Sequence, residues 1–453
     1  MNIRSTRGLV AGLAAIAAAL SFAACGSPAA STAPSGSGAA PAPSDQPAAT
    51  EPVTLTWWHN ATADPGKKLW EDVAKEFEQA HPGVTIEVTG YQNEELQRTL
   101  IPQALQAGGD AAPDVFMVWP GGEVRSQAEA GYLKDLTTPA ADTIATLGGT
   151  VKPWEVDGKQ YALPFTFSIE GMWYNKDLFA KVGITTPPTT LPELNDAVAK
   201  LKAIKVAPIA VGAGDLWPAG HWWYQMAIHA CSTQTLQTAI PALDFSDPCW
   251  VEAGKLLQQF VATEPFQDGW LASSSQQGAD SSAGLIANGK AAMELMGGWN
   301  AGTIGSLAPD TDGDGNGDIP EFLGWFPMVS IPGTAGDPSI AMGGGDGWGV
   351  YQDAPDVAVD FVQYLVSDDV QKRFAAIGGG IPANPAGQEG LTDPSLQAIA
   401  TGLSNASYVQ LWLDSALGPD FGTPLNQAIV NLMGGKGTPE DIVTALKDTA
   451  AAQ

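Results

Sequence analysis

The chain has 453 residues, with 21 Lys+Arg against 49 Asp+Glu and a formal net charge of −28. That length suits roughly two to four domains, the 44% hydrophobic content can fill a large core, and the negative field excludes nucleic acid and anionic lipid as ready partners. Only 15% of residues are charged, yet the 15 Trp outnumber the 14 Phe; this bias favours a ligand with flat apolar faces and many hydroxyls, as in a carbohydrate, over an ionic one.

Arg4 and Arg7 are the only charges before Cys25, and an almost wholly apolar run from Gly8 to Phe22 follows them. A basic start and about 15 apolar residues read as an export signal, too short for a bilayer span of ~20. The run ends in Phe22-Ala23-Ala24-Cys25, which resembles a bacterial lipobox. Residues 1–24 are then a lipoprotein signal peptide, and lipid on Cys25 anchors the chain to the extracellular face of the cell membrane; the other reading is an ordinary cleaved signal with an incidental cysteine. Cys231 and Cys249 remain as an even pair in an oxidising compartment, where a disulfide is expected. Residues 25–51, rich in Pro, Ala, Ser, Gly and Thr, read as a flexible tether.

From Val53 the pattern alternates in period. Val53–Trp58 reads as a strand, and Leu69, Trp70, Val73 and Phe77 share a helical face stopped by His81-Pro82-Gly83. A strand at 84–88, a helix at 93–106 and a strand at 114–119 follow, implying βαβ units and a mostly parallel sheet. A second α/β region begins after Tyr161-Ala162-Leu163-Pro164. There Thr190 and Glu193 form a capping box for a helix to about Ile204, with a strand at 207–211 and helices at 250–262, 356–366 and 368–376.

The stretch from Asp310 to Glu321 fits the 12-residue calcium loop of EF hands. Asp310, Asp312, Asp314, Asp318 and Glu321 place carboxylates at ligand positions, Asn316 offers its backbone carbonyl, and Gly315 takes the sharp turn. Gly317 and Pro320 depart from the helix-flanked pattern, so a lone structural Ca2+ site is expected, with a solvated acidic turn as the alternative.

Trp173-Tyr174-Asn175-Lys176-Asp177-Leu178-Phe179-Ala180-Lys181-Val182-Gly183-Ile184, then Pro187-Pro188-Thr189-Thr190 and Glu193-Leu194, resembles the signature segment of extracellular solute-binding proteins of family 1. These are the carbohydrate-binding components of bacterial ABC importers, similar to maltose- and maltodextrin-type binding proteins. Ala112-Pro113-Asp114-Val115, Gly289-Lys290-Ala291-Ala292-Met293, Gly297-Gly298-Trp299-Asn300 and Gly345-Asp346-Gly347-Trp348-Gly349-Val350 agree in order, and the resemblance covers about residues 52–453. It implies an α/β, two-lobe periplasmic-binding-protein-like fold with a hinge and an interlobe ligand cleft. The N-terminal lobe would hold 52–164 plus 325–379, and the C-terminal lobe 165–324 plus 380–453. It further implies a monomer that captures a mono- or oligosaccharide and delivers it to the permease subunits of an ABC transporter. The Trp57-Trp58-His59-Asn60 opening is similar to that of members taking short plant-derived or α-linked sugars, pointing to a xylo-oligosaccharide, an α-glucoside or galactose.

In open α/β sheets ligands sit beyond the carboxyl ends of strands, which picks out His59, Asn60, Gln92 to Glu94, and Trp119. Sugar faces need aromatic planes, and paired hydroxyls need planar polar groups. Trp222, Trp223, Trp299 and Trp348 are therefore expected to stack, and His59, Asn60, Glu94, Asn300 and Asp346 to hydrogen-bond, although each of these tryptophans also fits a core position. Trp57 and Trp70 are expected in the core. Two other readings stay open: a lipid-anchored glycoside hydrolase and a calcium-dependent cell-wall polysaccharide-binding protein. A hydrolase needs two carboxylates about 5–10 Å apart; Glu170, Glu294 and Asp346 are available, but nothing marks two of them as partners. The histidines at 59, 81, 221 and 229 are too scattered for a zinc site, and Gly343-Gly344-Gly345 lacks the Lys-Ser/Thr of a phosphate loop, so no catalysis is expected.

Overall fold

Strand Val53–His59 alternates buried Leu55, Trp57 and His59 with more exposed neighbours, the period-two signature of a half-buried strand. The computed structural model describes residues 52–310 and 317–453; Cys25 and, in the acidic loop, Asp312, Asp314 and Asn316 lie outside them. Helix Gly66–Ala80 lays Leu69, Trp70, Val73, Ala74 and Phe77 on the sheet, and parallel strands Val84–Gly90 and Val115–Val118 flank the first. Gly347–Val350 and then Ala162–Pro164 complete this five-stranded sheet in antiparallel fashion.

A continuous helix over 93–106 is not what forms. Asn93–Glu95 and Ile101–Ala107 are α-helical, and Leu96–Leu100 between them is a π turn in which the Ile101 N–H bonds the Leu96 carbonyl. Pro102 supplies the reason: it has no N–H for the Arg98 carbonyl, and the widened turn absorbs the missing bond.

The second lobe is built on a four-stranded sheet ordered Leu323–Pro327, Gly171–Asn175, Ala291–Met296 and Ala207–Ala210. Thr190 and Glu193 cap helix Leu191–Ala203 reciprocally, as their spacing predicts. The expected later helices form at Cys249–Val261, Val357–Leu365 and Asp368–Ala376. Helix Trp217–Ala230 is buried along its whole length, packed in one core with Cys249–Val261 and Pro419–Met433. Cys231, just past its end, is bonded to Cys249 with the Cα atoms 5.0 Å apart. Leu323–Pro327 pairs with Gly171–Asn175, so the return to the first sheet occurs at Gly347 rather than at the expected 325.

Three chain crossings join the lobes. The first runs from Ala162–Pro164 through Ser168–Ile169 to Gly171–Asn175, and the second from Leu323–Pro327 through Ile340–Gly344 to Gly347–Val350. They lie antiparallel, with Gly343 opposite Ile169 and Gly344 opposite Ser168. The third, near Ile381, is tied to the first by Phe167 N–H to the Ile381 carbonyl and Ala383 N–H to the Phe165 carbonyl, both 3.1 Å. Glycine is demanded here by close approach: a Cβ on Gly345 would lie 1.9 Å from the Thr166 carbonyl oxygen.

Candidate functional site

A cavity of about 210 Å³ opens between the lobes. Its first-lobe wall is assembled at strand ends: Asn60 after Val53–His59, Gln92 and Asn93 after Val84–Gly90, and Trp119 after Val115–Val118. Asn60 Nδ2 donates to Asn93 Oδ1 at 2.9 Å, tying two of these loops together. The π turn adds Gln97, and the face is completed by Trp70, Phe165 and Phe374. Trp70 and Phe374 stack at 5.7 Å, with Phe165 edge-on to both.

The facing wall belongs to the second lobe. Trp217 and His221 open the buried central helix, Trp299 precedes helix Asn300–Leu307, and Trp412 follows strand Tyr408–Leu411. Trp299 meets Trp412 edge-on with centroids 5.5 Å apart, while His221 and Trp412 are parallel to within 1°. Thr303, Ser306, Gln276 and Ser415 add hydroxyl and amide groups. The result is opposed aromatic faces edged by neutral hydrogen-bonding groups.

The charged groups on this lining are all acidic: Asp64, Asp346 and Asp414, with no Lys or Arg among the described lining residues. Asp346, on the second crossing, has its carboxyl pushed up to about 7 by desolvation. Asp414 accepts from Asn426 Nδ2 (3.1 Å) and the Ser415 N–H, and faces Arg98 Nη2 at 3.4 Å. Arg98 also contacts Glu123 at 3.2 Å, so its charge is already paired with two carboxylates. A second chamber of about 440 Å³ adjoins the first through Gln92, Asn93, Trp217 and Gln276 and holds Glu94. Burial raises the Glu94 carboxyl to about 7, opposed by nearby Arg98, and its Oε2 has no partner.

Of the residues picked out from sequence, Asn60, Trp119, Trp299 and Asp346 come together on the cavity wall, and Glu94 in the adjoining chamber. Five others do not. His59 is buried, its Nδ1 accepting the Ala61 N–H at 3.1 Å, and burial lowers its pKa to about 3; the neutral ring braces the loop that carries Asn60. Trp222 and Trp223 have no exposure and stack on Phe260 and Trp250 inside the second lobe. Trp348 lies one layer behind the wall, stacked at 4.4 Å on Phe165. Asn300 is buried and donates to Glu294 Oε2 at 2.8 Å. Trp70 is in the core, as its helical face predicts, and one part of it also lines the cavity.

Sequence reasoning passed over Trp217, His221, Gln97 and Trp412. Trp412 obeys the same strand-end rule, applied to a strand, Tyr408–Leu411, that was not expected. Glu170 and Glu294 are buried off the lining, so neither shares the cavity with Asp346. His229 bonds the Gln225 carbonyl through Nδ1 while His221 faces Glu170, and no group of three metal-ligating side chains occurs among the described residues.

An uncharacterised extracellular-binding protein of an ABC transporter from Pyrococcus horikoshii is 26% identical over 433 residues, spanning 90% of this chain and 91% of that one. The sn-glycerol-3-phosphate-binding periplasmic protein UgpB of Rhizobium meliloti is 24% identical over 368 residues, 76% and 77% of the two chains. A solved structure described in work on xylan utilisation by Caldanaerobius polysaccharolyticus superposes with a TM-score of 0.78 at 26% identity, covering 87% of this chain and 99% of that one. Residues 60–372 match the family model of bacterial extracellular solute-binding proteins; the chain belongs to that family, and is a binding protein rather than an enzyme.

Proposed function

We propose that the chain captures a neutral mono- or oligosaccharide outside the cell and delivers it to the permease of an ABC importer. One observation carries the ligand class: the cavity opposes aromatic planes across a rim of amides, hydroxyls and carboxylates with no Lys or Arg among its described lining residues. Aromatic faces match the C–H faces of pyranose rings, and carboxylates accept hydroxyl donors. A phosphorylated ligand, as named for UgpB, would meet three acidic side chains and an arginine already paired twice. The adjoining chamber supports a ligand longer than one ring, and the likeness to the structure from work on xylan utilisation favours a xylo-oligosaccharide over an α-glucoside or galactose.

Three further parts of the reading rest mainly on sequence. Lipid on Cys25 would hold the chain at the membrane. Ca2+ on the loop from Asp310 to Glu321 would be structural: the loop's described end abuts helix Asn300–Leu307, where a Cβ on Gly305 would lie 2.3 Å from the Gly317 carbonyl oxygen. The Cys231–Cys249 bond would staple the central helix to its neighbour. Calorimetric titration of residues 52–453 with neutral sugars and with sn-glycerol-3-phosphate tests the ligand class: saturable binding of a neutral sugar and none of the phosphate is expected, and the reverse overturns it. EDTA should lower the melting temperature while leaving sugar affinity unchanged.

A further inference from the structure

Glu170 is the single residue between Ser168–Ile169 and Gly171–Asn175 on the first crossing. Its N–H bonds the Met342 carbonyl of the second crossing at 2.8 Å, so its backbone is held by the hinge itself. The side chain is fully buried and lies off the cavity lining. Its Oε1 accepts the indole N–H of Trp412 at 3.0 Å and sits 2.6 Å from His221 Nδ1. These two rings come from distant parts of the chain, both line the cavity, and both are parallel to within 1° with centroids 5.8 Å apart.

We propose that Glu170 is a positioning residue for the ligand, fixing from the hinge the plane of the Trp412 indole, which runs parallel to the His221 ring on the cavity wall. The inference rests on the reading of the cavity as a sugar site. An indole held by packing alone can tilt in a cavity that is empty on one side. One whose N–H is bonded to a buried carboxylate cannot tilt without leaving that carboxylate short of a donor, which is costly at such depth. Stacking on a sugar depends on that plane, so Glu170 acts on the ligand through Trp412 without touching it.

The test compares Glu170→Gln, which keeps an oxygen acceptor, with Glu170→Ala, which removes it, each alone and combined with Trp412→Phe. Two readouts are taken: the Trp412 indole N–H resonance without ligand, and the affinity for the sugar that the wild-type chain binds best. In Glu170→Ala the resonance should move towards that of a free indole and affinity fall about tenfold or more, while Glu170→Gln stays within about threefold. In the Trp412→Phe background, Glu170→Ala should cost little further affinity, because its effect passes through that ring. Full affinity in folded Glu170→Ala, or a loss that adds in full to that of Trp412→Phe, overturns the proposal. Should Glu170→Ala not fold, Glu170→Met, similar in volume and without an acceptor, is judged by the same outcomes. Should the wild-type chain bind no sugar, the reading of the cavity fails on its own, while an unmoved indole resonance still overturns the positioning claim.

Discussion

Tryptophan serves two purposes in this chain, and position decides which. Trp412 presents a face to the cavity, so Trp412→Ala should weaken sugar binding about 30-fold or more, as truncating a central aromatic anchor does, and should also lower the denaturant midpoint because the ring is buried and bonded to Glu170. Trp222 has no exposure, and Trp222→Ala should instead cost about 3–5 kcal/mol of stability in urea unfolding. The sequence could not separate the two: Trp222 and Trp223 sit in a helix buried on all sides, where periodicity marks no face. Asn60 and Trp119 were legible because strand ends follow a general rule. Asp346 yields a pH prediction. Its folded-state pKa is raised to about 7 from 3.8, so the empty protein loses stability as pH rises across that window. Sugar hydroxyls donating to this carboxylate favour its ionised form, so binding releases a proton and affinity rises as pH passes through about 7. Calorimetry in buffers of different ionisation enthalpy should show that release, and Asp346→Asn should abolish both it and the pH slope.

At the scale of elements, signals carried by near neighbours were legible and those carried by distant ones were not. The Thr190–Glu193 capping box needs four consecutive residues and formed as read. The π turn at Leu96–Leu100 was hidden, although Pro102 is its local cause, because apolar spacing does not distinguish a turn widened by one residue. Leu323–Pro327 reads as a strand whichever sheet it joins, and only its pairing with distant Gly171–Asn175 assigns it to the second lobe. Nor does sequence show that Gly343-Gly344-Gly345 is a crossing where backbones meet. With its Cβ 1.9 Å from the Thr166 carbonyl, Gly345→Ala should force the crossings apart and cost about 1–3 kcal/mol, read as a lower urea midpoint; an unchanged midpoint would show that the hinge yields freely.

For the whole molecule, the two lobes meet at three crossings among the described residues while the cavity draws on both walls, so a ligand touching both would favour any arrangement that brings the walls together. The aromatic content that first pointed to a sugar is divided between this cavity and three core clusters of the described residues, which is why composition indicated the ligand class but not the residues. The central claim is capture of a neutral sugar without turnover. Intrinsic Trp fluorescence of residues 52–453, titrated with mono- and oligosaccharides and followed by chromatography of the recovered sugar, tests it most directly. The account predicts a saturable change for one neutral sugar, lost in Trp412→Ala, with the sugar recovered intact. No response to any sugar, or recovery of a cleaved product, would contradict it.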